Sequence, residues 1–254
     1  MVDAARNVAS PIWWFSLTPS STQVMQACKR GQPCAYFKDG ALVFFDGAVE
    51  IRLIAVSDIP VTLLGAAKHN IRNALAAACV CTALGASTDP IHAGLSGFVS
   101  DAKNNPGRFN EFTCNGAKII VDFAHNAHNA HSIAAVCDAM ASISSERRFL
   151  LLSQPGDRSD QNITEVRLTA LQFNPDLIVI AEIADYLRGR SLGEVPDQIR
   201  TSAIAAGFPA DKILQVGSPS AGTRLVLETV RPGDLVLLLV LSDRDAVFEA
   251  LTAL

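Results

Sequence analysis

Residues 147–183 read RRFLLLSQPGDRSDQNITEVRLTALQFNPDLIVIAEI, and this stretch decides the fold. It opens with an apolar run, continues through a polar, turn-rich segment and a helical stretch, and ends in a second apolar run. Continuous Val, Ile and Leu are typical of strands buried on both faces, as in a parallel sheet covered by helices. The stretch therefore predicts one strand–helix–strand unit.

The same alternation extends on both sides of this unit. Further strand-like runs are AKIIVDF, KILQV and DLVLLLVL. Helices are expected to begin near Asn129, Asp160, Glu194, Ser220 and Asp243. We predict an open α/β domain over residues 106–254, with a mostly parallel sheet flanked by helices.

The region before residue 106 has a different pattern. IWWFSL, the hairpin AYFKDGALVFF with its Asp39-Gly40 turn, and EIRLIAV predict short strands. KHNIRNALAAACVCTALG is apolar all round at helical spacing and predicts a buried helix closed by Gly85, followed by a shorter helix. The polar run KNNPGR at 103–108 predicts a linker. Residues 1–105 are therefore expected to form a smaller α+β domain.

Composition narrows the classes of partner. A formal net charge of -4 gives no reason to expect a nucleic-acid partner. The longest apolar run, LVLLLVL, is far shorter than the ~20 residues of a membrane span, and the N-terminus has no export-signal pattern. The six cysteines fall in no disulfide framework and are interpreted as reduced, mostly structural thiols of a cytoplasmic protein.

Polar clusters follow three of the predicted strands: DFAHNAH, SQPGDRSD and AEIADYLRGRSLGE. In open α/β sheets, ligands bind where strands end and helices begin. Asp122 lies at the C-terminal end of a predicted buried strand. A carboxylate at this position suits ribose hydroxyls or a cation, although it could also cap a helix. The clusters therefore predict a ligand site at one edge of the sheet.

The run DFAHNAHNAH at 122–131 has three possible interpretations: a metal site, nucleotide chemistry, or polar residues at a helix start. A metal site would use His125, His128 and His131, but on a helix these side chains spread over an arc of about 120°. Zinc needs three or four converging ligands. The spacing therefore predicts no metal site and favours one of the other interpretations.

Five motifs, one of them in two parts, occur in the same chain order as in the Mur ligase family and resemble it. PGRFN at 106–110 and IIVDFAHNAHN resemble the opening of its C-terminal domain, and GAAKHNIRNALAAA resembles the helix that ends its ATPase domain. PGDRSDQNI, DYLRGRSLGE and the PGD at 232–234 resemble the cyanophycin synthetase branch. The resemblance runs from about residue 12 to the C-terminus and implies a Rossmann-like C-terminal domain preceded by part of the central ATPase domain.

The resemblance implies an ATP-dependent ligase that joins an amino acid to a carboxylate through an acyl phosphate. It assigns Asn73, and less closely Asn70 and His69, to the adenine. It assigns Arg108 to the nucleotide phosphates and Asp122 to the ribose hydroxyls. The catalytic positions facing the transferred phosphate and the incoming amine are His125 and Asn126, whereas His128 and His131 match no fixed position of the family.

The resemblance also implies that the loops after the next two strands bind the incoming amino acid, expected to be arginine. Their residues are Asp157, Arg158, Arg188, Arg190 and Glu194. Arg188 or Arg190 could hold the α-carboxylate, while Glu194 or Asp185 meets a guanidinium. An acidic polymer or peptide is the implied acceptor.

One part of the family pattern is missing: no glycine opens a phosphate-binding loop ending in GK[ST]. The acidic Mg²⁺ ligands expected in that ATPase region are missing too. We therefore expect this chain to be inactive alone and to need the N-terminal part of a ligase as partner. The alternative is a non-catalytic module that binds an amino acid, a polymer end or a protein.

Overall fold

The computed structural model describes residues 5, 7–123, 130–141 and 143–253, with the side chains of 130–132 left out. The chain divides into two compact units, residues 1–99 and 100–254. This division lies slightly upstream of the predicted boundary at 105/106. No helix in the described part of the chain is both long and apolar enough to cross a membrane.

A four-stranded sheet organises unit 1. Its strands are β1 (Trp14–Ser16), β2 (Cys34–Lys38), β3 (Ala41–Phe45) and β4 (Glu50–Ala55), paired in that order. β1 runs parallel to β2, and the other pairs are antiparallel. Asp39 and Gly40 both have positive φ, as a two-residue hairpin turn requires, which confirms the predicted hairpin.

Among the described residues of unit 1, three helices accompany this sheet: α1 (Thr22–Lys29), α2 (Lys68–Ala83) and α3 (Thr88–Gly97). The sequence interpretation missed α1. The prediction that α2 is buried all round was wrong, because Ile71 and Leu75 are buried while Val80 and Leu84 on the opposite side are exposed. α2 therefore covers the sheet with one face only.

Unit 2 contains a six-stranded, mostly parallel sheet, as predicted. Its strands are β5 (Asn110–Cys114), β6 (Ala117–Asp122), β7 (Arg148–Ser153), β8 (Leu177–Ala181), β9 (Ile213–Val216) and β10 (Leu235–Leu239). The spatial order is β5-β6-β10-β7-β8-β9, and among the described strands of this sheet only the pair β5–β6 is antiparallel. β5 was not predicted; it joins β6 through the turn Asn115-Gly116, where both residues have positive φ.

Five helices connect and follow these strands: α4 (Ala130–Ala141), α5 (Asp160–Ala170), α6 (Glu194–Ala205), α7 (Pro219–Thr229) and α8 (Arg244–Thr252). From β6 through β7 and β8 to β9 the chain moves in one direction across the sheet, so right-handed crossovers place α4, α5 and α6 on one face. The return to β10 places α7 on the other face. The side chains of Ser159 and Ser218 cap α5 and α7.

Short 3-10 turns complete both units, at Val56–Asp58, Pro60–Thr62, Leu171–Phe173, Ala184–Tyr186 and Ala210–Lys212.

β10 lies in the middle of the unit 2 sheet, and all five of its residues are buried. Its neighbours β6 and β7 also contain buried apolar runs, at 119–121 and 149–152. Burial on both faces explains the continuous Val, Ile and Leu runs that predicted these strands.

Candidate functional site

The carboxyl ends of the central strands of unit 2 lie side by side. Leu239 of β10 pairs with Asp122 of β6 on one side and with Leu152 of β7 on the other, and Leu152 pairs with Ile180 of β8. The segments that follow these four strands therefore leave the sheet at one edge. Three of them are the polar clusters predicted to form a ligand site, and the fourth is LSDRD at 241–245.

The pocket at this edge has a volume of about 610 Å³. It lies between the segments that follow β7, β8 and β10. Charged side chains of both signs line it: Arg158, Arg188 and Arg244 with Asp157, Asp185, Asp243 and Asp245. Pro155, Ile183, Tyr186, Leu241 and Ser242 complete the lining. A zwitterion with a charged side chain suits such a mixed surface.

Two of the lining arginines have defined neighbours. The guanidinium of Arg188 lies 5.3 Å from the centre of the Tyr186 ring, which orients an otherwise exposed side chain. The Nε of Arg158 lies 3.5 Å from Oδ1 of Asp157. The structure therefore brings together three predicted site residues, Asp157, Arg158 and Arg188, with Asp185, one of the two acidic residues expected to meet a guanidinium.

The loops after β7 and β8 touch at Gly156. Its amide donates to the carbonyl of Tyr186 at 2.8 Å. A Cβ at this position would lie 1.9 Å from the carbonyl oxygen of Leu187. Only glycine allows the two backbones to approach this closely, so the pocket wall depends on Gly156.

Arg190 links the same two loops through hydrogen bonds. Nε donates to the carbonyl of Gly156 at 2.9 Å, and Nη2 donates to the carbonyl of Arg158 and to Asp160, both at 2.7 Å. Nη1 donates to Glu194 at 3.0 Å and to Gln198 at 3.3 Å. A guanidinium has five N–H groups, and all five are used here.

This arrangement differs from the expectation that Arg190 and Glu194 contact the substrate. Neither residue lines the pocket. Glu194 accepts from Arg190 and, through Oε2, from the amide of Ser191 at 2.9 Å. We interpret both residues as positioning residues that shape the pocket wall, because their polar atoms are already engaged within the protein.

Glu182 holds together the two ends of the loop that follows β8. The residue is buried, and its two carboxylate oxygens accept from the amides of Ile183 at 2.8 Å and Gly193 at 2.6 Å. A buried carboxylate is stable when it is hydrogen-bonded in this way. Residues 182–193 therefore form a loop whose two ends are held together.

Arg108 and Asp122 are neighbours, although 14 positions separate them in the sequence. Oδ2 of the buried Asp122 accepts from the amide of Phe109 at 3.1 Å, and the amide of Phe123 donates to the carbonyl of Gly107 at 2.8 Å. The Arg108 side chain is exposed beside these bonds. Asp122 thus fixes the backbone that carries Arg108.

The segment 241–245 contributes residues that the sequence interpretation missed. Arg244 lies 4.3 Å from the centre of the Phe123 ring, which follows Asp122 directly. Asp243 accepts from the amide of Ser220 at 3.1 Å and so holds the start of α7. The sequence could have identified these residues as candidates, because they follow the end of a predicted strand as the other three polar clusters do.

Asn70 and Asn73 lie on α2 of unit 1. Nδ2 of Asn70 donates to the carbonyl of Val61 at 2.6 Å, and Nδ2 of Asn73 donates to Oδ1 of Asn70 at 3.3 Å. Burial lowers the pKa of His69, and the nearby Arg72 adds to this effect. The exposed Asn73 keeps more capacity for a ligand than Asn70, whose amide is held by the chain itself.

His125, Asn126 and His128 lie outside the described residues, as does the side chain of His131. Among the residues that are described, no group of three or more His, Cys, Asp or Glu could hold a metal ion. For ATP the described residues offer a partial fit: an exposed guanidinium at Arg108 for phosphate oxygens, next to the carboxylate of Asp122.

The PGD motif at 232–234 lies at the opposite edge of the sheet, where β10 begins. Asp234 is buried and accepts from Nε and Nη2 of Arg147 at 2.9 and 2.6 Å, and from the amide of Arg231 at 2.8 Å. Burial alone would raise the pKa of Asp234, but these bonds outweigh it and hold the pKa below its ordinary value. This motif is structural.

Comparisons with known proteins agree with this fold. Residues 107–239, just over half of the chain, match the family described as Mur ligase, glutamate ligase domain. Cyanophycin synthetases of Geminocystis herdmanii and Synechocystis are 29% and 31% identical over 79% and 77% of this chain, and the matched part is 22% of each relative. The chain thus spans about a fifth of the length of these relatives.

Solved structures show the same fold at low sequence identity. A murein peptide ligase of Psychrobacter arcticus has a TM-score of 0.61 and 16% identity, covering 98% of this chain and 47% of that one. E. coli FolC, solved in complex with ADP, has a TM-score of 0.58 and 16% identity, covering 87% and 46%. With its family match, its strand-end motifs and this fold, the chain belongs to the Mur ligase family.

Proposed function

We propose that this chain supplies the amino-acid-binding domain of an ATP-dependent amide ligase of the cyanophycin synthetase type. Such an enzyme adds arginine to a carboxylate of an acidic polymer or peptide through an acyl phosphate. The observation that carries the proposal is the pocket after β7, β8 and β10, where arginine and aspartate side chains face one space. The relatives named above are synthetases and ligases.

The charges of the pocket match the two ends of arginine. Arg188 presents a planar fork that suits an α-carboxylate, and Asp185 is an acidic partner suited to a guanidinium. Arg158 and Asp157 supply a second pair of the same kind. Glycine at 156 and the bonds of Arg190 keep the two loops at a fixed separation, which reduces the ordering that binding requires.

The chemistry requires the amine of the bound amino acid to meet an activated carboxylate. The contribution of this domain is positioning, which can supply a large part of the rate enhancement. Arg108 would bring its charge to the nucleotide phosphates and Asp122 would accept from the ribose hydroxyls. His125 and Asn126 remain the proposed positions facing the transferred phosphate and the amine.

Calorimetric titration with arginine and two analogues tests the pocket assignment. Citrulline lacks the charge of the guanidinium, and agmatine lacks the α-carboxylate. Each analogue should bind at least about tenfold more weakly than arginine, because a hydrogen bond to a charged group contributes about 1.5–3 kcal/mol.

Two variants separate the ends of the ligand. Arg188→Met should weaken binding of arginine and citrulline but leave agmatine unchanged, whereas Asp185→Asn should weaken arginine and agmatine but leave citrulline unchanged. Arg224→Met, an exposed arginine on α7 outside the pocket, is the matched control. If arginine does not bind, or if Arg188→Met and Arg224→Met behave alike, the assignment is wrong.

Ligation is tested with a complementing ATPase half. Phosphate release and amide formation should depend on both halves, and Arg108→Ala should reduce turnover strongly without changing the free energy of unfolding. A second candidate, a non-catalytic binding module, is favoured by one observation: the sequence has no GK[ST] loop. Arginine binding without any turnover in the complemented reaction would support that module instead.

A further inference from the structure

Two cysteines of unit 1 lie next to each other. Sγ of Cys28, near the end of α1, is 3.5 Å from Sγ of Cys34, the first residue of β2. Both thiols are free. All six cysteines are among the described residues, and no other two of their sulfur atoms lie within hydrogen-bonding distance of each other.

The chain between the two cysteines is held by its own backbone. The amide of Gly31 donates to the carbonyl of Cys28 at 3.1 Å, and the amide of Gln32 donates to the carbonyl of Ala27 at 2.9 Å. Gly31 has a positive φ, as expected where a helix ends in this way. The distance between the sulfur atoms is therefore set by a defined turn and not by a long loop.

The two thiols differ in exposure. Cys34 is fully buried in the cluster that α1 forms on the sheet with Val24, Ala27, Tyr36 and Val43. Cys28 is only half-buried at the edge of that cluster. A reagent from solvent therefore reaches Cys28 first, with Cys34 directly behind it.

We propose that Cys28 and Cys34 form a thiol–disulfide exchange site that reacts with small-molecule disulfides such as oxidised glutathione and closes to an intramolecular disulfide. Cys28 and Cys34 would thus be exceptions to the interpretation of the cysteines as mostly structural thiols. The closure joins the end of α1 to the start of β2.

The exchange balances in two steps. Cys28 loses its proton to water, and its thiolate attacks one sulfur of oxidised glutathione, releasing one glutathione thiolate and leaving a mixed disulfide on Cys28. Sγ of Cys34 then attacks Sγ of Cys28, its proton passes to solvent, and the second glutathione leaves. One S–S bond is broken and one is formed, and two electrons pass from the cysteine pair to the oxidant.

The order of attack follows from burial. Burial raises the pKa of Cys34 to about 12, and the bond to Cys28 adds to this effect, so Cys34 is a poor first nucleophile in solution. As the resolving thiol it needs no encounter, because its target sulfur is already adjacent. Such proximity can compensate for a low thiolate fraction.

The experiment uses the whole folded chain with oxidised glutathione, followed by acid quenching, alkylation of free thiols and tryptic mass mapping. Lys29 and Arg30 lie between the two cysteines, so trypsin separates them unless a disulfide joins the peptides. We expect the linked pair of peptides, with a mass loss of two hydrogen atoms, to exceed any other cysteine–cysteine link about tenfold.

Serine variants distinguish the two steps. Cys34→Ser should accumulate a stable glutathione adduct on Cys28, whereas Cys28→Ser should leave Cys34 unmodified. Cys81→Ser removes an exposed thiol of the same unit and should leave the Cys28–Cys34 link unchanged. The proposal is overturned if wild-type Cys28 keeps its glutathione adduct, or stays reduced while Cys81 reacts.

Discussion

Gly156→Ala tests whether the two loops of the pocket meet as described. The φ of Gly156 is not in the left-handed region, so the backbone itself accepts alanine. The added Cβ, however, would lie 1.9 Å from the carbonyl oxygen and 2.7 Å from the carbonyl carbon of Leu187. Non-bonded heavy atoms normally lie about 3.5 Å apart, so the loops must separate by about 1.5 Å.

The cost of this separation has two parts. Overpacking at a rigid site costs about 1–3 kcal/mol. The bonds from the Gly156 amide to Tyr186 and from Arg190 to the Gly156 carbonyl stretch as well, and each contributes about 1 kcal/mol. We expect Gly156→Ala to lose about 2–4 kcal/mol, which for a unit of this size lowers the melting temperature by about 5–15 °C.

Gly217→Ala is the matched control, because no heavy atom lies within 4 Å of its added Cβ and its φ is also outside the left-handed region. It should be neutral or slightly stabilising, by at most about 1 kcal/mol, since alanine restricts the unfolded chain. Urea unfolding followed by circular dichroism gives both values. A Gly156→Ala variant within about 0.5 kcal/mol of Gly217→Ala would refute the close approach of the two loops.

Three further substitutions probe the polar groups of unit 2. Arg190→Met should unfold at lower urea concentration than Arg224→Met, because it loses two bonds to main-chain carbonyls worth about 1 kcal/mol each; equal midpoints would contradict its positioning role. Arg167 is buried, and its Nε and Nη1 have no partner among the described residues, so Arg167→Met should leave the free energy of unfolding unchanged or raise it by about 1–2 kcal/mol, and a clear loss would show that the guanidinium is needed. The folded pKa of Asp234 is lowered, so its contribution is complete above its unfolded pKa of about 4 and is lost as pH falls through the folded value. Asp234→Asn should therefore cost about 1–3 kcal/mol at pH 7 and progressively less as the pH falls below about 4 in urea titrations, and a cost that does not change with pH would exclude the ionic contribution.

The parallel strands could be predicted from the sequence because burial on both faces requires a continuous run of apolar residues. Leu150 to Leu152 and Leu235 to Leu239 are buried on both faces and read as continuous apolar runs. β5 and α1 leave weaker traces, since NEFTC alternates polar and apolar residues and TQVMQACK is half polar. The Asn115-Gly116 dipeptide is nevertheless a hairpin signal that could have identified β5.

Which arginine serves which purpose could not be read from the sequence. Arg188 and Arg190 are two positions apart in the same loop, and both were expected to bind substrate. The difference lies in their partners: Arg190 reaches carbonyls of the neighbouring loop, while Arg188 turns toward Tyr186 and lines the pocket. Those partners are about 30 residues away in the chain, and only the paired strands β7 and β8 bring them close.

The place of β10 couples the sheet to the pocket. β10 is the last of the described strands along the chain, but it lies between β6 and β7 and pairs with both, so it joins those two strands in one sheet. The residues that follow it, including Asp243 and Arg244, then line the pocket beside the loops of β7 and β8. Burial of the five Leu and Val side chains of β10 stabilises the strand in the middle of the sheet. The same burial therefore also places the residues that follow β10 in the pocket. The pocket therefore cannot form in a chain whose central sheet is incomplete.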